Sequence, residues 1–205
     1  MNRPKQRIGL MGGTFDPIHM GHLVTAEAVR NQFDLEKVIF IPAGSPPHKL
    51  GSEITSASDR LFMTQLAVES NPYFMVSTME LERSGPSFTI DTLRQFVAEY
   101  GERAEFYFII GADSLVELHT WSHAEELLRL CHFVAAARPG TIYSLSDTLT
   151  HFPVELQSRI HQLATPELAI SSTEIRQRME QGLSLRYIVP DPVRQYIIYN
   201  RLYEK

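Results

Sequence analysis

The feature that most limits how this chain can fold is an alternation of two kinds of segment. Short, continuous apolar runs occur at Arg7–Met11, Lys37–Pro42, Phe74–Met79, Glu105–Gly111, His132–Ala137 and Leu168–Ile170. Between them lie stretches whose apolar residues recur every three or four positions, as Leu23, Ala26, Val29 and Phe33 do between Met20 and Phe33. The spacing predicts further helices over Ser58–Ser70, Thr89–Tyr100, Asp113–Leu130 with a break near Thr120, Pro153–Leu163, Ser172–Gln181 and Asp191–Tyr203. Ser122 and Glu125 suggest a fresh N-cap after that break, and Glu80–Phe88 and Gly140–Thr150 read as loops. Strands that are apolar throughout must be covered on both faces, and helical crossovers between them make the sheet parallel. The expectation is therefore an α/β fold, a Rossmann-like doubly wound parallel sheet with helices on both faces. The 205 residues suffice for a single domain with one sizeable core, closed by a small C-terminal helical cap at about 183–205.

In such sheets ligands lie outside the carboxyl ends of the strands, so the loops after strands carry the chemistry. The first, Gly12–His22 (GGTFDPIHMGH), follows the first strand and opens the first helix. Gly12 and Gly13 let backbone amides approach a ligand, and the helix N-terminus adds partial positive charge that suits phosphate. His19 and His22 are three apart, so one turn aims both imidazoles the same way, and each can donate to a phosphate oxygen. Gly21 between them leaves room for a nucleotide on the helix start. The bland alternative is a surface histidine pair beside a turn. A zinc site would need a third ligand, for which Asp16 is the local candidate. The loop is neither a Walker A loop nor G-x-G-x-x-G, which weighs against a nicotinamide-dependent oxidoreductase.

Two more segments are chemically loaded. In PAGSPPHK, Pro46 and Pro47 stiffen the chain ahead of His48 and Lys49, a pair that suits an anion but also describes a solvated basic turn. In ISSTEIRQR, Ser171 and Glu174 form a capping box, which accounts for those two residues structurally. It does not account for the hydroxyls of Ser172 and Thr173 or for Arg176 a turn later, which together read as a second phosphate site. After the strongest strand, Gly111 and Asp113 fit a ribose or base contact. The sole tryptophan, Trp121, reads as core packing or as a stacking surface.

The wording of these segments resembles the H-x-G-H nucleotidyltransferases, and within them the bacterial nicotinate-mononucleotide adenylyltransferase family. GGTFDPIHMGH matches the family's first signature and ISSTEIR its second, over 140 residues later. The matching G-A-D-x-x-x-x-L-x-x-W pattern is carried by Gly111, Ala112, Asp113, Leu118 and Trp121, and SFTIDTL resembles S-[YF]-T-x-D-T. The resemblance implies that Gly12, Gly13, Thr14, Phe15, His22, Gly111, Asp113, Ile170, Ser171, Ser172, Thr173 and Arg176 surround ATP, Gly12 to Phe15 through their backbone. It implies that His19, His22, Lys49 and Arg176 act in the reaction. Phe15, His48, Lys49, Thr89, Leu118 and Trp121 would meet the acceptor, with Trp121 on its pyridine ring. Asp91 reads equally as a helix-start charge, and Arg138 as a phosphate neighbour only by position.

The implied reaction is transfer of AMP from ATP to nicotinate mononucleotide, giving deamido-NAD and pyrophosphate. Mg2+ is implied as the companion of ATP, with no tightly bound cofactor and no metal ligands of the protein's own. Other acceptors such as phosphopantetheine or a flavin nucleotide, a cytidylyl donor, or a non-catalytic nucleotide sensor are the competing readings. The net charge of −5 gives no general attraction to nucleic acid or an anionic membrane. One cysteine, Cys131, excludes an internal disulfide. The apolar run near the N-terminus is too short for a signal peptide, and no stretch approaches the ~18 residues of a membrane span. A cytoplasmic setting is expected.

Overall fold

The computed structural model describes residues 4–45, 54–137, 145–166 and 168–204. Six strands, β1 (Gln6–Gly13), β2 (Lys37–Pro42), β3 (Phe74–Val76), β4 (Ala104–Gly111), β5 (His132–Ala137) and β6 (Ile160–Ala164), form one sheet in the order β3-β2-β1-β4-β5-β6. Every neighbouring pair is parallel. This is the Rossmann-like order, with the direction of winding reversing between β1 and β4. The helices are α1 (Met20–Gln32), α2 (Ala57–Val68), α3 (Met79–Glu82), α4 (Thr89–Tyr100), α5 (Ala112–Val116), α6 (Ala124–Leu130), α7 (Leu145–Leu149), α8 (Val154–Gln157), α9 (Ser172–Glu180) and α10 (Asp191–Tyr199).

Side chains alternate across the sheet and divide the core in two. Ile8, Leu10, Phe106, Phe108, Phe133 and Ile160 meet Leu93 and Phe96 of α4, Leu127 and Leu128 of α6, and Leu156 of α8. Met11, Val38, Phe40, Ile109 and Val134 meet Ala26 and Val29 of α1, Met63 of α2, Ile175 of α9, and Val193 and Ile197 of α10. The two-sided burial explains why the strands read as unbroken apolar runs, and each fully buried Phe or Ile removes enough surface to stabilise by about 2 kcal/mol.

Several expected elements differ. The predicted helix over Pro153–Leu163 ends at Gln157, and Ile160–Ala164 pairs instead with β5. Leu156, Ile160 and Leu163 do fall at helical spacing, but the open edge of β5 supplies a backbone ladder that outweighs so weak a preference. Leu168–Ile170, expected as the last strand, makes only a local turn, with the Ile170 amide donating to the Leu168 carbonyl at 2.8 Å. β3 stops at Val76, and the expected loop over Glu80–Phe88 begins with α3. The break near Thr120 is present, but α6 is preceded by His123 at φ 58 rather than capped by Ser122. Part of the expected Gly140–Thr150 loop is α7, and the final helix ends at Tyr199 rather than Tyr203.

Candidate active site

A cleft of ≈ 880 Å³ opens at the carboxyl ends of β1 and β4, where the winding reverses. Its floor is Met11–Gly13 from β1, Thr14 just after it, and Phe108–Gly111 from β4. One end is bordered by His19, Gly21, His22, Ile170, Ser171 and Ser172. The other is bordered by Glu80, Ser87, Phe88, Thr89, Thr120 and Trp121.

The first end is built to receive negative charge. α1 and α9 begin side by side: the Ser172 hydroxyl donates to the Pro17 carbonyl at 2.9 Å, and Gly21 faces the Ile170 carbonyl. Two helix N-termini thus direct their amides and partial positive charges at one region. The imidazoles of His19 and His22 stack with centroids 3.7 Å apart. A Cβ on Gly21 would stand 3.0 Å from the His19 ring, so the glycine gives that ring its place. His22 Nδ1 accepts the His19 backbone N–H at 3.2 Å, which leaves the ring proton on Nε2. Burial first, and the neighbouring His19 second, hold the His22 pKa well below 6.5. His22 therefore offers a neutral N–H donor.

Of the residues expected around the nucleotide, Gly12, Gly13, Thr14, His19, His22, Gly111, Ile170, Ser171 and Ser172 border this cleft, as do Thr89 and Trp121 of the acceptor set. Trp121 meets the Phe133 ring edge-on at 6.1 Å, so core packing steadies a ring that also borders the cleft. Its two readings are compatible.

Other expected residues lie elsewhere. Phe15 and Leu118 are core side chains, 2% and 0% exposed. Phe15 turns at φ 51, which folds its ring under Gly13 and edge-on against His22. Leu118 faces inward because the 3-10 turn Leu118–Thr120 interrupts the helix expected there. Asp113 is exposed on α5 outside the cleft wall, where Ser114 and Glu117 stand instead. Thr173 is also exposed. Arg176 donates to the Asp16 carbonyl at 2.7 Å and to the Thr173 hydroxyl at 3.4 Å, beside rather than within the cleft wall. Asp91 pairs with Arg94 at 3.5 Å as a helix-start charge. The Asp16 carboxylate, the third ligand that zinc would need, instead accepts the Tyr203 hydroxyl at 2.7 Å and the Thr55 amide at 3.4 Å. His48, Lys49 and Arg138 lie outside the described residues.

Sequence reasoning missed two buried charged groups. Glu80, 7% exposed on the cleft wall, accepts the Thr92 hydroxyl at 2.6 Å, and burial pushes its pKa up. Arg60 is 2% exposed. A signal for Arg60 was available, since it falls on the apolar face of α2 with Met63, Thr64 and Ala67 at i+3, i+4 and i+7.

Comparison with known proteins supplies the family. Residues 10–178 match the model of the family described as Cytidylyltransferase-like. A protein of Thermoanaerobacter sp. called "Probable nicotinate-nucleotide adenylyltransferase" is 50% identical over 200 residues, covering 97% of this chain and 95% of that one. A protein of Moorella thermoacetica with the same description is 51% identical over 198 residues, 96% of this chain and 91% of its own. The chain belongs to the nicotinate-nucleotide adenylyltransferase family. It is a nucleotidyltransferase. A solved structure described as "Plasmodium falciparum nicotinic acid mononucleotide adenylyltransferase complexed with NaAD" superposes with a TM-score of 0.77 over 97% of each chain. At 22% identity that likeness concerns the fold, which this nicotinate-nucleotide adenylyltransferase family member shares from β1 to α10.

Proposed function

We propose that the protein transfers the AMP unit of ATP to the phosphate of nicotinate mononucleotide, releasing pyrophosphate and forming deamido-NAD. The observation that carries this reading is the joint start of α1 and α9 beside the stacked His19 and His22, in a cleft whose far end holds Thr89 and Trp121.

An oxygen of the acceptor phosphate attacks the α-phosphorus of ATP, and the bond to the β-phosphate oxygen breaks. The acceptor oxygen is already anionic, so no general base is needed. Catalysis then consists of alignment and charge stabilisation. The Nε2–H of His22, the His19 ring and the helix amides face charge that grows on the α-phosphate and the departing pyrophosphate. Ser171 and Ser172 border the same pole, and Thr89 and Trp121 bind the acceptor ring. Arg176 and Thr173 act from beside the cleft, with Arg176 also holding the first loop through Asp16. The acidic side chains on the described cleft wall are Glu80, already bonded to Thr92, and Glu117. The donor set therefore suits a magnesium ion that arrives on the nucleotide, held by phosphate oxygens and water. Its chemistry would be neutralisation of the phosphates.

We further infer one domain over 1–205, since Leu185, Val193 and Ile197 of the C-terminal part sit in the same half of the core as Met11, Val38 and Phe40. A cytoplasmic setting goes with the use of ATP.

The test is pyrophosphate release from ATP and magnesium with nicotinate mononucleotide, nicotinamide mononucleotide or phosphopantetheine offered separately, with His19→Ala as control. Release with the nicotinate acceptor that falls on the order of 10²–10³ in the control is the expected result. Release with phosphopantetheine alone would overturn the acceptor.

A further inference from the structure

We propose that Arg60 is a positioning residue for nucleotidyl transfer: from behind the cleft it fixes the residues that directly follow β1 and β2. The inference rests on the transferase reading of the cleft.

The backbone shows why such a residue is needed. The β1–β2 ladder ends at the pair Gly13–Pro42, and one further bond joins the Ala43 amide to the Gly13 carbonyl at 2.8 Å. Beyond that point no ladder holds the two chains together, yet Thr14 and Ala43 both form cleft wall. Arg60 takes over there. One of its terminal nitrogens, Nη1, donates to the Thr14 carbonyl and to the Ala43 carbonyl, each at 2.8 Å. Its Nε donates to the Thr55 carbonyl at 3.0 Å, just ahead of α2. The guanidinium thus acts as a side-chain rung added to the sheet.

Its grip extends further through peptide planarity. With a carbonyl turned toward Arg60, the N–H of the same planar trans peptide points the opposite way. In the Ala43–Gly44 peptide that N–H donates to the Ser87 hydroxyl oxygen at 3.2 Å, and the Ser45 amide does the same. Ser87 lines the opposite end of the cleft, next to Thr89. A single buried side chain therefore connects the loop bearing the histidines to the loop that faces the acceptor. Burial disfavours the charge on Arg60, the Asp16 carboxylate counters part of that, and Asp16 is itself in the histidine loop. A lysine at this position would bring one compact ammonium in place of a planar fork with several fixed directions.

The experiment compares Arg60→Lys and Arg60→Met with the wild type in the full chain. It records urea unfolding, then kcat and the KM for ATP and for nicotinate mononucleotide under conditions where each variant is folded. Methionine keeps an unbranched apolar stem and removes the donors. For folded enzyme the expected result is a kcat lower by about 10²-fold in Arg60→Met, because a misplacement of about 1 Å costs that much. Arg60→Lys should recover part of the loss, with smaller changes in either KM. A purely structural residue would lower the unfolding midpoint and leave kcat per folded molecule unchanged, and that outcome overturns the proposal. Loss of the cooperative transition in both variants overturns it too, by making Arg60 a determinant of the fold. Absence of turnover in the wild type would strike the transferase reading itself, a result separate from either of these.

Discussion

At the scale of single residues, His22 shows how local bonding sets chemical role. Its Nδ1 is occupied by the His19 amide, so its proton sits on Nε2, and burial keeps the ring neutral. Two consequences follow for measurement. His22→Ala should lower kcat by about 10²–10³, whereas His22→Gln, whose side-chain amide can both accept and donate, should lose less. The ratio of the two kcat values at saturating ATP is the check, and equal losses would refute the donor role. The residue pattern made the pairing of the two rings legible, because three-residue spacing puts both on one side of a helical turn. It did not show that the side chains of Leu118 and Phe15 turn into the core. A motif gives the order of residues but not which way a broken helix or a positive φ turns each one.

At the scale of elements, the N-terminus of α9 joins structure to function. The Ser171 hydroxyl accepts the Glu174 amide at 3.1 Å, and Ser172 ties the helix to the first loop. Ser171→Ala should cost about 1 kcal/mol of stability, read from urea unfolding, together with a higher KM for ATP. A variant with unchanged stability would show that the cap is not needed. Here the N-cap was readable, since it depends on four consecutive residues, although only the Ser171 half of the expected capping box forms. β6 was not, because Ile160–Ala164 is a strand only where β5 presents its edge. A segment whose conformation is set by a partner remote in sequence leaves little mark on its own composition. The strands that were legible are those buried on both faces.

At the scale of the molecule, the two ends of the sheet carry opposite duties. The carboxyl ends hold the cleft. Near the amino ends, Arg159 donates to His132 Nε2 at 2.9 Å, His132 Nδ1 meets His161 Nε2 at 2.8 Å, and Tyr107 donates to Glu105 at 3.0 Å. Burial, and then Arg159, lower the pKa of both His132 and His161 from 6.5. Burial acts to raise Glu105, but Tyr107, His132 and Arg7 outweigh it and the net shift is downward. In the unfolded chain these histidines take up protons near pH 6.5 while the folded chain resists, so the unfolded state binds more protons and stability falls as pH drops below that value. Glu105 acts in the same sense at lower pH. Its contribution is present above its unfolded value and is lost as pH falls through its folded one. The urea midpoint should therefore decline on going from neutral to mildly acidic pH, and a His132→Gln, His161→Gln double variant should show a shallower decline. An unchanged slope would exclude the cluster as the cause. The order of the strands was not deducible from any local signal, but the alternation of segments limited it to this class.

The bond between Tyr203 and Asp16 spans 187 positions in the chain. The carboxylate of the histidine loop is thus held by a side chain far along the sequence, and neither segment satisfies that bond alone. The form of the histidine loop is therefore a property of the folded whole and not of its own signature alone.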